Sequence, residues 1–278
     1  MNTAGRDKGM QPLLEVGNLV KTYSRRRLAG SGEGVRALDG VSFSIFRGTT
    51  LAIVGESGSG KSTLASCLAC LEKPTSGAIR FEDKDIVTLS EEDLRAIRRQ
   101  MQLIFQDPAS SFNPRWGVGE ILIEPLALQG NLGRDEMRTR AHALLEQVGL
   151  SSSMEAKLAS ELSGGQRQRL AIARALMLEP KVLILDEALS ALDCSVQAQI
   201  ANLLVDLQSS CGMTYLFITH DLAMAAHLAD EIAVMSKGRI VEHGAPNKIL
   251  NQPQSVITRE LLAAVPRLGF AGTRVAES

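Results

Sequence analysis

The sequence predicts an α/β fold that carries an inserted all-helical segment. Short apolar stretches with a strand pattern alternate with helical periodicity in both halves of the chain, whereas residues 117–178 are helical throughout. In addition, the apolar stretch 50–54 runs into a Gly-rich turn, and a helical pattern follows over residues 61–72. Strands that alternate with helices are typical of a parallel sheet covered by helices, so the helical run is interpreted as an insertion.

The composition is that of an ordinary globular protein. Of the 278 residues, 45% are hydrophobic and 22% are charged, which excludes the disordered, collagen-like and coiled-coil classes. The net charge of -1 argues against a protein that holds nucleic acid by bulk charge. No apolar run approaches the roughly 18 residues of a membrane helix, and residues 1–11 lack the apolar core of a signal peptide. We therefore expect a cytosolic location and no nucleic acid partner.

The first part of the chain has the alternation of β-strands. Apolar and polar side chains alternate over residues 14–16 and 41–45, and the basic, Gly-containing residues 24–35 between them are expected to form a flexible loop. Ser90 and Asp93 have the spacing of a capped helix start. We therefore expect a helix over residues 90–99, with strands over residues 77–81 and 101–105 on either side of it.

Helical periodicity dominates after a proline-containing loop at residues 107–115. It predicts helices over residues 118–128, 134–148 and 163–178. The α/β alternation then returns, with strands over residues 182–185, 214–218, 232–235 and 239–242 and helices over 195–208 and 221–228. Beyond Gly244 we expect two short helices, and a Gly-containing end that frays.

The turn after the strand at residues 50–54 fits the pattern G-x-x-x-x-G-K-[ST]. It reads Gly55-Glu56-Ser57-Gly58-Ser59-Gly60-Lys61-Ser62-Thr63, between the strand and the helix that this pattern requires. Its glycines let consecutive backbone N–H groups point into one concave nest, and the helix N-terminus adds partial positive charge. Lys61 can reach the β- and γ-phosphates of a nucleotide, and the Ser62 hydroxyl can bind Mg²⁺. The segment therefore predicts nucleotide binding.

A second strand, over residues 182–185, ends in two adjacent carboxylates, Asp186 and Glu187. A strand that is apolar throughout is expected to be buried on both faces. Asp186 at its carboxyl end can then face the phosphate loop and bind Mg²⁺ through water, and Glu187 can polarise a water for attack on the γ-phosphate. The alternative is an acidic strand end that only caps the next helix.

The helix expected after Leu162 begins with Ser163-Gly164-Gly165-Gln166. Ser163 is a natural N-cap, and the two glycines leave backbone N–H groups uncovered, which makes this a second anion-binding helix start. Together, the three motifs resemble those of the ATP-binding subunit of an ABC transporter, over roughly residues 13–266. In that family the Leu-Ser-Gly-Gly-Gln segment contacts the γ-phosphate that the other subunit of a head-to-tail dimer holds.

The resemblance implies a P-loop NTPase (RecA-like) core, an N-terminal antiparallel β subdomain and a helical subdomain inserted at about residues 107–178. It makes residues 13–266 one ATP-binding domain and residues 267–278 a flexible tail. It also implies roles for three more side chains. Gln106 senses Mg²⁺ and the attacking water, His220 contacts the γ-phosphate, and Tyr23 stacks on adenine. The Mg²⁺ ligands would be Ser62, Gln106 and Asp186, and residues 190–193 would cross the dimer interface.

Two segments narrow the resemblance to the peptide/nickel importer branch: the run from Gln106 to Arg115 and the tail over residues 258–266. This branch implies an ATPase that drives import of peptides or a related small solute, nickel included. The expected partners are a second ATP-binding subunit, transmembrane permease subunits and an extracytoplasmic solute-binding protein, at the cytoplasmic face of the inner membrane. Residues 252–257 depart from the branch's usual His-Pro-Tyr, and no cysteines for an iron–sulfur tail follow Pro266.

Several alternatives stay open at this point. An ABC-type ATPase could serve a soluble enzyme assembly instead of a permease. A DNA-repair cassette fits poorly, because the stretch between Gln106 and Leu162 shows no sustained heptads. Tyr23 could be an ordinary surface residue at a strand end. Cys67 and Cys70 have C-x-x-C spacing but are interpreted as small apolar residues on one helix face, without a function.

Overall fold

The computed structural model describes residues 11–24, 34–130 and 132–264. Two β-sheets and nine α-helices are formed within these ranges. The basic segment at residues 25–33, most of the N-terminal segment and the predicted tail at residues 267–278 lie outside the described residues.

The N-terminal strands form a four-stranded antiparallel sheet. It contains β1 (Leu14–Tyr23), β2 (Val35–Ile45), β4 (Ser76–Phe81) and the short β5 (Lys84–Asp85), in the order β2-β1-β4-β5. At one end of the sheet Tyr23 is paired with Val35, and the basic segment connects these two residues along the chain. This sheet agrees with the predicted N-terminal β subdomain.

A six-stranded sheet forms the centre of the molecule. Its strands are β3 (Thr50–Val54), β6 (Met101–Ile104), β7 (Val182–Asp186), β8 (Thr214–Thr219), β9 (Glu231–Ser236) and β10 (Arg239–Gly244), in the order β10-β9-β3-β8-β7-β6. All pairs are parallel except the edge pair of β9 and β10. The carboxyl ends of the parallel strands meet at one edge, which is where ligands bind in open α/β sheets. The predicted site residues Gly55, Gln106, Asp186 and His220 all lie at or just beyond that edge.

The central sheet has a hydrophobic core on each face. Leu51 and Ile53 of β3 point into the cluster shared with the antiparallel sheet, whereas Ala52 and Val54 point into the cluster shared with the helical insertion. Because successive side chains of a strand alternate between faces, a strand between two cores must be apolar at every position. This is the physical reason for the continuous apolar runs that predicted β3 and β7.

The helices follow the predicted order closely. They are α1 (Lys61–Leu68), α2 (Glu91–Gln100), α3 (Val118–Ala127), α4 (Arg134–Gln147), α5 (Gly164–Leu176), α6 (Cys194–Cys211), α7 (Leu222–Leu228), α8 (Pro246–Asn251) and α9 (Val256–Ala264). The Ser90 hydroxyl accepts a hydrogen bond from the Asp93 backbone N–H, so the predicted N-cap of α2 is formed. None of the helices within the described ranges is both long and apolar enough to cross a bilayer.

The helix after the phosphate loop is shorter than predicted. It ends at Leu68 instead of continuing to residue 72, and Cys70 has a left-handed backbone with φ of 56°. Cys67 and Cys70 therefore do not share a helix face, which corrects the prediction. Burial raises the pKa of each thiol to about 11, and within the described ranges no metal-binding group of three His, Cys, Asp or Glu residues exists. Neither thiol is thus poised as a thiolate at neutral pH.

The segment at residues 252–257, which departs from the importer branch, is held mainly through its backbone. The Glu242 carboxylate of β10 accepts hydrogen bonds from the backbone N–H groups of Gln254 and Ser255 and from the hydroxyl of the buried Thr258. Burial opposes the charge of Glu242, but these hydrogen bonds hold its pKa below the ordinary value. Backbone groups therefore make most of this anchor, while the Ile257 side chain packs against the core of the central sheet.

Candidate functional site

The phosphate loop is a turn that only glycine can form at two of its positions. A Cβ atom on Gly55 would lie 2.2 Å from the Met235 carbonyl oxygen, and one on Gly60 would lie 2.3 Å from the Ala37 carbonyl oxygen. Gly60 is also the N-cap of α1 and has φ of 107°, which side chains rarely adopt. The loop is therefore pressed between β9 and β2 and opens at the N-terminus of α1.

Lys61 is a buried lysine inside this loop, with a residue exposure of 4%. Its ammonium donates hydrogen bonds to the carbonyl oxygens of Gly55 at 2.7 Å and Glu56 at 2.8 Å. Burial lowers the pKa of Lys61, while the nearby carboxylates of Glu187 and Asp186 act in the opposite direction. The structure thus fixes a cation at the centre of the loop, where a polyphosphate would gain most from it.

Ser62 and Asp186 lie together where the sequence placed a metal. The Ser62 hydroxyl donates a hydrogen bond to Asp186 Oδ1 over 3.2 Å. Asp186 is buried, and this desolvation raises the pKa of its carboxyl despite the hydrogen bond from Ser62. A buried carboxylate beside a hydroxyl is a set of hard oxygen donors, of the kind that Mg²⁺ prefers. These two residues therefore fit a magnesium ion.

Glu187 is held in a strained backbone conformation between two basic groups. Its φ of 48° is left-handed, and its backbone is fixed by N–H donation to the Ile218 carbonyl and by acceptance from the Ser190 hydroxyl. One carboxylate oxygen is 3.8 Å from Lys61 Nζ, and the other is 3.7 Å from His220 Nδ1. The carboxylate is thus positioned at the mouth of the phosphate loop.

A cleft of about 390 Å³ is lined by eight of the predicted site residues. Its lining includes Ser57, Gly58, Gly60, Lys61, Ser62, Thr63, Gln106 and Glu187. Five lining residues, Val35, Arg36, Ala37, Lys237 and Gly238, were missed from the sequence. The turn at Lys237 and Gly238 joins β9 to β10, and the Gly238 N–H donates to the Ser59 carbonyl at 2.8 Å. The glycine indicates a turn, but no local pattern reveals that this turn packs against the phosphate loop.

Tyr23 lies beside the cleft and does not line it. Its strand partner Val35 is a lining residue, and its residue exposure is 38%. The Tyr23 hydroxyl donates a hydrogen bond of 2.6 Å to Glu72 Oε2. The ring is therefore partly exposed next to the phosphate loop, where a stacked base could reach it.

Ser163 and Gln166 form a complete capping box at the start of α5. The Ser163 hydroxyl accepts from the Gln166 backbone N–H at 3.3 Å, and the Gln166 side chain accepts from the Ser163 backbone N–H at 2.9 Å. Gly164 of this turn faces Leu192, which precedes α6, and Gly165 faces Val196 in the first turn of α6. Among the described residues that line the cleft, none comes from this turn. The chain thus carries two separate anion-binding candidates.

We expect Gly165→Ala to destabilise the protein by about 1–3 kcal/mol, which is typical of overpacking. An added Cβ would lie 2.6 Å from Val196 Cγ1, and the rotamer of a β-branched residue in a helix is stiff. Chemical denaturation monitored by circular dichroism measures the loss. The double variant Gly165→Ala/Val196→Ala removes the clash and should regain part of this stability, whereas equal stability of Gly165→Ala and wild type would contradict the contact.

A second concave surface, which we call the groove, lies between β6 and the helical insertion. It has a volume of about 410 Å³, and its lining includes Phe105, Phe112, Leu128, Arg95, Arg99 and Arg174. Leu128 is 82% exposed and Phe105 is 43% exposed. Arg174 pairs with Glu124 at 2.7 Å and lies 6.0 Å from the centre of the Phe112 ring. The groove thus combines exposed apolar side chains with arginines, immediately beside Gln106.

Comparison with known proteins identifies relatives of this chain. The family model described as "ABC transporter" matches residues 38–190. The dipeptide transport ATP-binding protein DppF of Escherichia coli (strain K12) is 46% identical over 259 residues, which cover 93% of this chain and 78% of that protein. The di/tripeptide transport ATP-binding protein DppF of Pseudomonas aeruginosa is 44% identical over 260 residues, which cover 93% and 80%.

Solved structures agree with the fold. The ATP-binding cassette MJ0796, in a dimeric post-hydrolysis state bound to ADP and Pi, is similar with a TM-score of 0.74 and 31% identity, covering 84% of this chain and 98% of that one. The protein cbiO1 of Clostridium perfringens, part of the ABC transporter complex cbiONQ, is similar with a TM-score of 0.76 and 32% identity. The match covers 92% of this chain and 96% of that one.

Proposed function

This chain belongs to the ABC transporter family as an ATP-binding subunit, and on that premise we propose that it hydrolyses ATP to drive the import of peptides through separate permease subunits. The observation that carries this proposal is the cleft itself. Lys61, the Ser62–Asp186 pair and Glu187 lie at the carboxyl ends of the parallel strands of the central sheet. Glu187 is 3.8 Å from Lys61, and Ser62 donates a hydrogen bond to Asp186. The similar proteins of Escherichia coli and Pseudomonas aeruginosa are named for dipeptide and di/tripeptide transport, which supports peptides as the cargo.

In this proposal the site residues divide the tasks of ATP binding and hydrolysis among them. The loop from Gly55 to Thr63 binds the phosphates of ATP, and Lys61 neutralises their charge. Glu187 orients the attacking water and accepts its proton, His220 contacts the γ-phosphate, and Gln106 senses the attacking water. Ser62 and Asp186, with Gln106, would hold Mg²⁺, which supplies charge neutralisation at the phosphates when it is bound.

The turn at Ser163–Gln166 would complete the site of a partner subunit. It does not line its own chain's cleft, yet it has the geometry of an anion-binding helix start. Two chains in a head-to-tail dimer would each lend this turn to the other, so ATP would favour the closed dimer and hydrolysis would reopen it. The dimeric state of the similar cassette MJ0796 supports this arrangement. The unit that does this would be the ATP-binding domain at residues 13–266.

The groove would receive the permease at the cytoplasmic face of the inner membrane. Exposed apolar side chains such as Leu128 and Phe105 lose contact with water when a partner covers them, which favours association. Its position next to Gln106 would link the bound permease to the nucleotide cleft. A solute-binding protein on the other side of the membrane would deliver the peptide.

Uptake of a radiolabelled dipeptide tests this proposal. Cells that lack this chain should take up several-fold less dipeptide, and the wild-type gene should restore uptake. Leu128→Asp should fail to restore it although the purified variant binds ATP normally, because Leu128 is not among the residues that line the nucleotide cleft. Val256→Asp, at an exposed apolar residue outside the groove, is the matched control and should restore uptake. Normal uptake without the chain, or its purification with soluble enzymes only, would contradict the proposal.

A further inference from the structure

We propose that Glu72 and Lys21 position the Tyr23 ring for the nucleotide base, so that they set the affinity for ATP without touching it. This inference rests on the proposed stacking of adenine on Tyr23. Lys21 and Tyr23 are two residues apart on β1 and project from the same face of the strand. Glu72 reaches them from the loop that follows α1.

Glu72 is the anchor of the Tyr23 hydroxyl. Its Oε2 accepts the hydroxyl hydrogen bond of 2.6 Å and lies 3.1 Å from Lys21 Nζ. Burial and the hydrogen bond to Glu72 raise the pKa of Tyr23, and the same hydrogen bond lowers the pKa of Glu72. Both shifts have the sign expected for a neutral phenol that donates to a carboxylate. The hydrogen bond from the Tyr23 hydroxyl to the Glu72 carboxylate therefore fixes the orientation of the ring.

Lys21 determines which face of the ring is available. Its ammonium lies 5.0 Å from the centre of the Tyr23 ring, within the range of a cation–π contact. A base can then stack only on the opposite face. The ammonium also donates to the Lys73 carbonyl oxygen at 2.8 Å, so its position does not depend on Glu72 alone.

The loop that carries Glu72 is tied firmly to β1 and to α2. The Thr22 backbone N–H donates to the Thr75 hydroxyl at 2.9 Å, and the Thr75 N–H donates to the Val20 carbonyl at 2.8 Å. On the other side of the loop, Arg98 donates to the Cys70 carbonyl at 2.8 Å. These hydrogen bonds fix the loop, so the Glu72 carboxylate has a defined position from which it orients the ring.

The ring lies close to the phosphate loop at Thr63. This residue is the last of the loop and lines the cleft, and its side chain acts to lower the pKa of Tyr23, against the larger effects of burial and Glu72. Glu72 itself is not among the lining residues. Its effect on nucleotide binding should therefore pass through Tyr23, and it should depend on the base instead of the phosphates.

Calorimetric titration of the full chain with MgATP and with inorganic tripolyphosphate tests this. Glu72→Ala should weaken ATP binding roughly three- to tenfold, a part of the effect of base stacking on an aromatic ring, and should leave tripolyphosphate binding within about twofold. Glu72→Gln, which keeps an acceptor for the hydroxyl, should restore most of the affinity. In steady state, the KM for ATP should rise while kcat stays unchanged.

Two further variants give the coupling and the control. Tyr23→Phe should weaken ATP binding as Glu72→Ala does, and the double variant should show no further loss, because both remove the same hydrogen bond. Glu15→Gln is the control, because Glu15 also lies on β1 and pairs with the exposed Arg80 of β4. This variant should bind both ligands normally.

Equal weakening of ATP and tripolyphosphate by Glu72→Ala would overturn the inference, since it would mean a general loss of structure. If Glu72→Ala has unchanged ATP affinity and Tyr23→Ala binds ATP weakly, the positioning role of Glu72 would be contradicted, whereas the stacking role of Tyr23 would stand. Unchanged ATP affinity in Tyr23→Ala would remove the stacking role itself, and the inference would fall with it.

Discussion

Glu187→Gln should lower the kcat of ATP hydrolysis by roughly 10²- to 10³-fold, while the Kd for ATP stays within about twofold. A positioned general base contributes on the order of 10²- to 10⁴-fold to such a reaction. The amide has nearly the same shape as the carboxylate, so it keeps the orientation of the side chain. It cannot accept a proton from the attacking water at neutral pH.

The backbone at Glu187 makes this substitution a clean test. Its left-handed conformation is held by hydrogen bonds with Ile218 and Ser190, and neither bond involves the side chain. The variant should therefore fold like the wild type. It loses one of the two carboxylates near Lys61, but Asp186 remains to balance part of that charge.

Single-turnover hydrolysis of labelled ATP measures the chemical step, and size-exclusion chromatography with ATP measures dimers. Glu187→Gln should accumulate ATP-bound dimers, because they close and cannot reopen by hydrolysis. Glu179→Gln is the matched control: Glu179 also has a left-handed backbone but lies at the surface, paired with Arg140 at 2.8 Å. It should hydrolyse ATP at the wild-type rate. Wild-type turnover by Glu187→Gln would show that another group accepts the proton.

The site residues that could be predicted from the sequence are those whose positions follow from the pattern of nearby residues in the chain. Gly55, Lys61 and Ser62 share one turn between a strand and a helix, and that context could be identified from periodicity alone. The apolar run that ends at Asp186 required burial on both faces, which the two cores of the central sheet confirm. Because all these strands are parallel, their carboxyl ends had to meet at one edge.

The parts that were missed depend on contacts between distant segments. Lys237 and Gly238 reach the cleft because β9 pairs with β3, and nothing near them in the chain encodes that pairing. Glu72 was assigned to a helix, but the chain leaves the helix at Leu68 and turns at Cys70, where Arg98 of α2 binds the carbonyl. In both cases tertiary contacts override or supplement local propensity.

Lys61→Ala should weaken ATP binding roughly 10- to 100-fold, which corresponds to the loss of one charge-assisted hydrogen bond in a buried site. The wild-type ammonium is already desolvated and is held by the carbonyls of Gly55 and Glu56. Little reorganisation is then needed for it to meet a phosphate. Because the alanine also leaves these carbonyls without their donor, Lys61→Met, which keeps the length of the side chain, should be measured beside it. Fluorescent-nucleotide titration gives the Kd of each.

The pH dependence separates the charge of Lys61 from its packing. Burial lowers the pKa of this ammonium, so it loses its proton at a lower pH than an exposed lysine does. Only the protonated form attracts phosphate, and the ATP affinity of the wild type should therefore fall as the pH rises through that pKa. Lys61→Met should bind weakly and lack this fall, whereas Lys84→Ala, at an exposed lysine on β5, should keep both the affinity and the fall. Wild-type affinity in Lys61→Met would show that the backbone of the loop alone holds the phosphates.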